Sequence, residues 1–229
     1  EHAAAARHDS KGGYKESVFE RYYQAQGLVP THEWGAFISA LRRPLPVTIR
    51  FNQLEGARED VDACVGAAEH ILYPREHVVD NWGRTVPPPS RLEWCDGWQF
   101  GCDKNTVKYG GDTSEYLRKL QKWLSHGSAR GVIVRQEVVS MIPAALLQVD
   151  ANHKVLDLCA APGSKTTQLL EGLQGAGLVV ANDFSAQRAN LLVRRCAALG
   201  PACAHLVITN HAAQKFPNVA APLEGSRRG

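Results

Sequence analysis

No run of roughly 18 apolar residues occurs in the chain, so nothing in it reads as a membrane-spanning helix and no membrane partner is expected. A secretory signal is missing too: Glu1-His2-Ala3-Ala4-Ala5-Ala6 has neither a basic start nor an apolar core. The six cysteines, Cys64, Cys95, Cys102, Cys159, Cys196 and Cys203, contain no Cys-x-x-Cys pair. That argues against a disulfide framework, and Cys95 and Cys102 have no further metal ligands nearby in sequence. Reduced intracellular thiols and no metal site are the expectation. Methionine occurs once, at Met141, and not at the start, which reads as a fragment of a longer protein. Neither sign of charge dominates: a net charge of +3 and a pI near 8.6 favour a nucleic-acid partner only weakly. No internal repeat is evident.

What is present suffices for a core. Hydrophobic residues fill 44% of the 229 positions, and the length suits one large domain or two small ones. Residues 1–13 read as a loose start. A helix is expected over Glu16 to Gln26, closed by Gly27. A second is expected from an N-cap at Thr31, with Trp34, Phe37, Ile38 and Leu41 on one core-facing side. Pro44 and Pro46 stop it. Val47 to Phe51 reads as a strand and Asp60 to Leu72 as a helix. The stretch 74–111 is rich in Trp, Pro, Gly and Asp. Trp82, Trp94 and Trp98 could stack bases, but basic residues are sparse there, so plugging a core is the favoured reading. Pro87-Pro88-Pro89 reads as a stiff connector. Asp112 with Glu115 reads as a capping box for a helix through Leu117, Leu120 and Leu124. Its Arg118, Lys119 and Lys122 read as a solvated face, with RNA backbone contact as the alternative. Gly127 and Gly131 break that helix. Gln136 to Gln148 reads as helical, with Pro143 opening a second piece.

The chain is organised around Val155-Leu156-Asp157-Leu158-Cys159-Ala160-Ala161-Pro162-Gly163-Ser164-Lys165-Thr166-Thr167. It reads as a buried strand, a tight turn of small residues and a helix start with free N–H groups. Ala160, Ala161 and Gly163 would let a ligand approach the backbone closely. A P-loop is disfavoured, because Ser164 separates Gly163 from Lys165 and position 158 is Leu rather than Gly. A Rossmann-like crevice for a nucleoside fits better. It needs an acidic residue about 20 positions on, at the end of the next strand, to take ribose hydroxyls. Leu178 to Asn182 is that strand, and Asp183 ends it. Ser185 then caps a helix carrying Leu191, Leu192 and Leu199, ended by Gly200-Pro201, and Ala204 to Ile208 is a third strand.

The string Asp157 to Gln168 resembles motif I of the Sun-family RNA cytosine-5 methyltransferases. Arg135-Gln136-Glu137-Val138-Val139-Ser140-Met141-Ile142-Pro143 is similar to the element before it. Tyr22 to Pro30 and Leu45 to Arg50 resemble the N-terminal segment of the eukaryotic transfer-RNA branch. These matches run from about Phe19 to about Pro217. The resemblance implies an α/β chain: the first half of a Rossmann-like S-adenosylmethionine methyltransferase domain after a mixed α/β N-terminal region. The division expected is a loose start at 1–13, an accessory region at 14–126, a truncated methyltransferase domain at 127–220 and a tail at 221–229.

The resemblance also implies S-adenosylmethionine as cofactor and RNA, transfer RNA above all, as partner, in an intracellular and nuclear setting. Cys159, Ala160, Ala161, Pro162 and Gly163 would pass under the methionine end, with Ser164 opening the helix. Lys165 would reach the cofactor or the reacting base, and Asp183 the ribose. The family's two working cysteines stand in Pro-Cys-Ser-Gly and Thr-Cys-Ser contexts, which none of the six cysteines here has. No catalytic residue is therefore expected in this chain, which alone would be inactive. Where the eukaryotic branch has Asn-His-Asp-Ala, this chain reads Asn210-His211-Ala212-Ala213, so a carboxylate near the adenosine is missing unless Gln214 replaces it. A catalytically inactive RNA-binding or scaffold paralogue is the rival reading. With only three strands of the sheet, Val155 to Leu158 would form an open apolar edge, and the chain alone would tend to aggregate.

Overall fold

The computed structural model describes residues 17–217 apart from 76, 81 and 198; the expectations for 1–13 and 221–229 lie outside the described residues. The chain divides at Leu45/Pro46 into two units.

The first unit carries helices α1 (Val18–Ala25) and α2 (Trp34–Arg42). Ser17 and Glu20 close a capping box on α1, and buried Glu20 also accepts from Arg42 Nη2 at 2.8 Å. Gly27, at φ 62°, turns the chain out of α1, as expected. Thr31 is not the cap of α2. The helix opens after a turn at 31–33, with Glu33 at its head and no side-chain cap. Of its expected apolar face only Ile38 is buried, and Leu41 stays 55% exposed.

The second unit runs β1 (Pro46–Phe51), α3 (Arg58–Gly66), α4 (Glu69–Leu72), β2 (Val78–Val79), β3 (Thr85–Val86), β4 (Ser90–Leu92), β5 (Gly97–Asp103), α5 (Lys104–Tyr109) and α6 (Glu115–Ala129). It continues with β6 (Ile133–Arg135), α7 (Val138–Leu146), β7 (Lys154–Asp157), α8 (Ser164–Gly172), β8 (Leu178–Asn182), α9 (Ala186–Ala197) and β9 (Leu206–Thr209). The single helix expected from Asp60 to Leu72 is two pieces, broken at Ala67 and Ala68.

Strands β4, β5, β1 and β6 form an antiparallel sheet in that order, and β2 pairs with β3 in a small hairpin. Ile49, Phe100, Leu117, Leu120 and Leu124 form the centre of its core. Trp98 is one of the expected plugs, at 8% exposure, whereas Trp82 and Trp94 are about half exposed. Ser114, not Asp112, caps α6: its side chain accepts from the Leu117 amide. Three- and four-residue spacing then stacks Leu117, Leu120 and Leu124 inward while Arg118, Lys119 and Lys122 stay exposed. Gly127 does not break this helix. It lies within it, where a Cβ would come 2.4 Å from Ile133 Cδ1. Gly131, at φ 71°, makes the turn out. Pro143 sits inside one continuous α7 rather than opening a second piece.

Strands β7, β8 and β9 form a parallel sheet in sequential order, with β7 at its edge. Helices α8 and α9 are the crossovers, and Leu169, Leu170, Leu173, Val179 and Leu192 fill the core between helices and sheet. Strand β7 is less buried than its apolar run suggested, because an edge strand lacks a neighbour on one side. Leu156 is 45% exposed and Leu158, just beyond the strand, 38%. The third strand starts at Leu206 because residues Gly200–His205 form a short 3-10 stretch.

Candidate functional site

The candidate site lies at the carboxyl ends of β7, β8 and β9, the end of an open α/β sheet where ligands commonly bind. The turn 158–163 joins β7 to α8. Its first lock is backbone: the Gly163 amide donates to the Ala160 carbonyl at 2.8 Å, and the Ala160 amide to the Asn182 carbonyl at 2.8 Å. Its second is Asp183, which is 3% exposed. Asp183 Oδ2 accepts from the Ala161 amide at 3.1 Å and Oδ1 from the Ser185 amide at 3.0 Å. Arg188 adds a third by donating through Nη2 to the Ala161 carbonyl, with its Nη1 3.7 Å from Asp183 Oδ2. Ser185 caps α9 as expected, its hydroxyl accepting from the Arg188 amide.

Gly163 has a different reason to be glycine from the one its neighbours suggest. Its φ of 104° is costly for any side chain, and a Cβ there would lie 2.7 Å from Leu192 Cδ1. The missing side chain makes room for α9. Ala160 and Ala161 are buried, whereas Cys159 and Pro162 face solvent on the turn. Ser164 opens α8 without capping it, since Gly163 occupies the cap position. Lys165 turns back to α7, where its ammonium donates to Ser140 Oγ at 2.6 Å. Thr166 ties the helix to the strand before it, donating to Asp157 Oδ2 at 2.9 Å.

Three residues here escaped the sequence reading. Asn182 is fully buried and joins the ends of all three strands. Its Nδ2 donates to the Leu158 carbonyl at 3.0 Å and the His211 carbonyl at 2.8 Å, while Oδ1 accepts from the His211 amide at 2.9 Å and Thr209 Oγ1 at 3.0 Å. Arg188 clamps the turn as described. Phe184, directly after Asp183, is 78% exposed. An aromatic residue following the strand-end acid was the one signal for it in the sequence. Ala212 and Gln214 enter the short turn after β9, where no carboxylate takes the place of the aspartate that the resemblance led one to expect.

Five of the six thiols are poorly suited to attack, and the sixth, Cys159, is exposed on the turn. Burial pushes the Cys102 thiol up to about 12 and that of Cys196 up to about 11, with Cys64, Cys95 and Cys203 also raised by burial. Among the described residues no three His, Cys, Asp or Glu side chains converge as metal ligands, and no helix is long and apolar enough to cross a membrane. A cleft of about 940 Å³ opens beside α4 and the start of α6, lined among others by His70, Arg75, His77 and Lys119, and shares no residue with the turn.

A parallel sheet with crossover helices, a small-residue turn after its first strand and an acid at the end of its second define a Rossmann-like fold. NSun6 from Pyrococcus horikoshii, solved with SFG, shares that fold at a TM-score of 0.58 and 15% identity, over 86% of this chain and 65% of that one. The family model for the 16S rRNA methyltransferase RsmB/F matches residues 144–224. The multisite-specific tRNA:(cytosine-C(5))-methyltransferase of Saccharomyces cerevisiae is 36% identical over 209 residues, 88% of this chain and 29% of that protein. The tRNA (cytosine(34)-C(5))-methyltransferase of Drosophila melanogaster is 35% identical, over 89% of this chain and 28% of its own length. Over most of its length the chain is therefore similar to these eukaryotic tRNA cytosine-C5 methyltransferases. It spans about three-tenths of the curated relatives it matches.

Proposed function

We propose that this chain forms the cofactor cleft of an S-adenosylmethionine-dependent methyltransferase acting on carbon 5 of cytosine in RNA, transfer RNA in particular. The observation that carries it is the Asp183 carboxylate bridging the end of β8 to the Ala161 amide of the turn. A carboxylate has about four acceptor positions, so each oxygen keeps one for a ribose hydroxyl. Pro162 and Cys159 present an open turn to the methionine end, and exposed Phe184 offers a face for the adenine. Lys165, held by Ser140, lies one residue into the helix behind that turn.

The cofactor supplies an electrophilic methyl group. On the RNA side, a thiolate adds to carbon 6 of cytosine, carbon 5 takes the methyl group, a base removes the carbon 5 proton and the thiolate leaves. In this reading the nucleophile is not one of this chain's cysteines, which is supported by their sequence contexts and by the burial that raises five of the six thiols. The target base must be swung out of its stack to reach the cleft. The rival, a catalytically inactive RNA-binding paralogue, is favoured by one observation, the alanine at position 212.

Calorimetry with S-adenosylmethionine, followed by transfer of labelled methyl to transfer-RNA cytosines by the intact protein, tests the reading. Binding with transfer supports it. Binding without transfer favours the rival, and no binding overturns both the cleft and the reaction.

A further inference from the structure

Arg50 is a charged residue in the middle of a buried strand, where the alternation of Val47, Ile49 and Phe51 gives no cause for it. It is 3% exposed. Its guanidinium reaches out of the antiparallel sheet and onto α8. Nε donates to Gln136 Oε1 at 2.9 Å, and Nη2 donates to Thr167 Oγ1 at 2.7 Å and to the Ser164 carbonyl at 3.3 Å. Nη1 donates to Glu171 Oε2 in an ion pair. Residues 164, 167 and 171 follow one another along one face of a helix. One planar fork therefore grips α8 over two turns, beginning at the residue that leaves the small-residue turn.

The grip extends through Gln136. Its Nε2 donates to the Ser140 carbonyl at 3.1 Å and to Gln168 Oε1 at 3.0 Å, and Gln168 Nε2 donates to the Met141 carbonyl at 3.1 Å. Ser140 in turn holds Lys165. Glu171 Oε1 makes no hydrogen bond, although the Gln53 amide faces the carboxylate. Burying such a pair gains little stability, since the desolvation of both ions offsets their attraction, and well-packed apolar side chains commonly do as well or better. What an apolar pair cannot supply is a fixed height of one helix against its neighbour.

We propose that Arg50 is a positioning residue: it sets the register of α8 against the antiparallel sheet, and through it the place of turn 158–163 and of the Lys165 ammonium. This deepens the reading of the cleft as an S-adenosylmethionine site and rests on it for its effect on binding, but not for its effect on the turn.

The test uses the intact protein, with Arg50→Met/Glu171→Met as an apolar replacement of the pair and Arg50→Lys as a variant that keeps the charge without the fork. Melting temperature, affinity for S-adenosylmethionine by calorimetry, and ligand-free hydrogen exchange of amides 163–167 are measured. The expected result is a double variant melting within about 4 °C of the wild type, yet binding at least tenfold more weakly and exchanging at least tenfold faster at 163–167. Arg50→Lys should show the same two losses to a smaller degree, and it decides the matter if the double variant does not fold. Affinity and exchange that recover together with melting would make Arg50 purely structural and overturn the proposal. Wild-type protein that binds no S-adenosylmethionine would sink the cofactor reading, and the exchange of 163–167 would then still decide the role of Arg50.

Discussion

Replacing Asn182 tests whether the rim of the cleft is held by one side chain. The orientation of its amide follows from its neighbours: the His211 amide must meet an acceptor, so Oδ1 faces it and Nδ2 faces the carbonyls of Leu158 and His211. Asn182→Ala removes four hydrogen bonds from a site with no solvent exposure. At about 1 kcal/mol net for each neutral bond, and with Leu158 and His211 close enough to solvent to recover part of the loss, the expected cost is about 2–4 kcal/mol. Asn182→Asp is nearly isosteric yet should cost at least as much at neutral pH. It turns two donated bonds into oxygen facing oxygen at 2.8 and 3.0 Å, and it buries a carboxylate. That carboxylate would have its folded-state pKa raised above the unfolded value. Stability is then retained below the unfolded pKa, near 3.9, and lost as pH rises through the folded one. Denaturant unfolding of the intact protein at neutral and mildly acidic pH reads both effects. If Asn182→Asp is within about 0.5 kcal/mol of the wild type at neutral pH, the size of an ordinary surface change, or does not regain stability on acidification, the assigned network is wrong.

Asp183→Ala should weaken S-adenosylmethionine binding by about 1.5–3 kcal/mol, the scale of a hydrogen bond to a charged group; unchanged affinity by calorimetry would remove Asp183 from the site. Gly163→Val should cost several kcal/mol of stability, about 1–3 from the positive φ and more from the clash with Leu192, so a wild-type melting temperature would refute the packing reason for that glycine. Burial pushes the Asp80 carboxyl up, but hydrogen bonds from the Arg84 amide, the Arg84 guanidinium and the Trp82 amide outweigh it and leave the pKa below its ordinary value. Its contribution is present above the unfolded pKa and lost as pH falls through the folded one, so Asp80→Asn should destabilise near pH 7 and converge on the wild type in acid; an effect independent of pH would refute this. The 229-residue chain alone should transfer no labelled methyl to transfer-RNA cytosines, and transfer by it would show that one of its six thiols is activated after all.

The turn was legible because its chemistry is local. Strand, turn and helix start fall within thirteen consecutive residues, and the acid that closes the site ends the next strand. The exception is Gly163, whose missing side chain makes room for Leu192 of α9 and so could not be read from its neighbours. Strand β5 was harder, because Gly97 and Gly101 interrupt the alternation that buries Trp98, Phe100 and Cys102. Glycine is there for close approach: a Cβ at Gly101 would lie 2.3 Å from the Pro87 carbonyl oxygen. Gly127 misled for the same reason, a breaker in sequence and a packing notch in space. Arg50 was not legible at all. Its partner Glu171 is over a hundred residues away, and no local pattern announces a buried ion pair whose halves belong to different sheets' surroundings.

The order of the antiparallel sheet has a consequence for how the molecule comes off the ribosome. Central strand β1 is made early, but one of its neighbours, β5, pairs Trp98 with Ile49, and the other, β6, pairs Arg135 with that same residue. During synthesis β1 must wait for about 50 residues for one edge and about 85 for the other, with its hydrogen-bonding groups open meanwhile. The loop-closure entropy of such pairing delays folding and lengthens the exposure of the nascent chain to chaperones and wrong partners. Strands β7, β8 and β9 carry no such delay, each finding its neighbour after a single helix. The sheet begun first is thus sealed by a strand made after α6, and any cut between α6 and β6, however natural it looks on a linear map, would leave that sheet with a bare side.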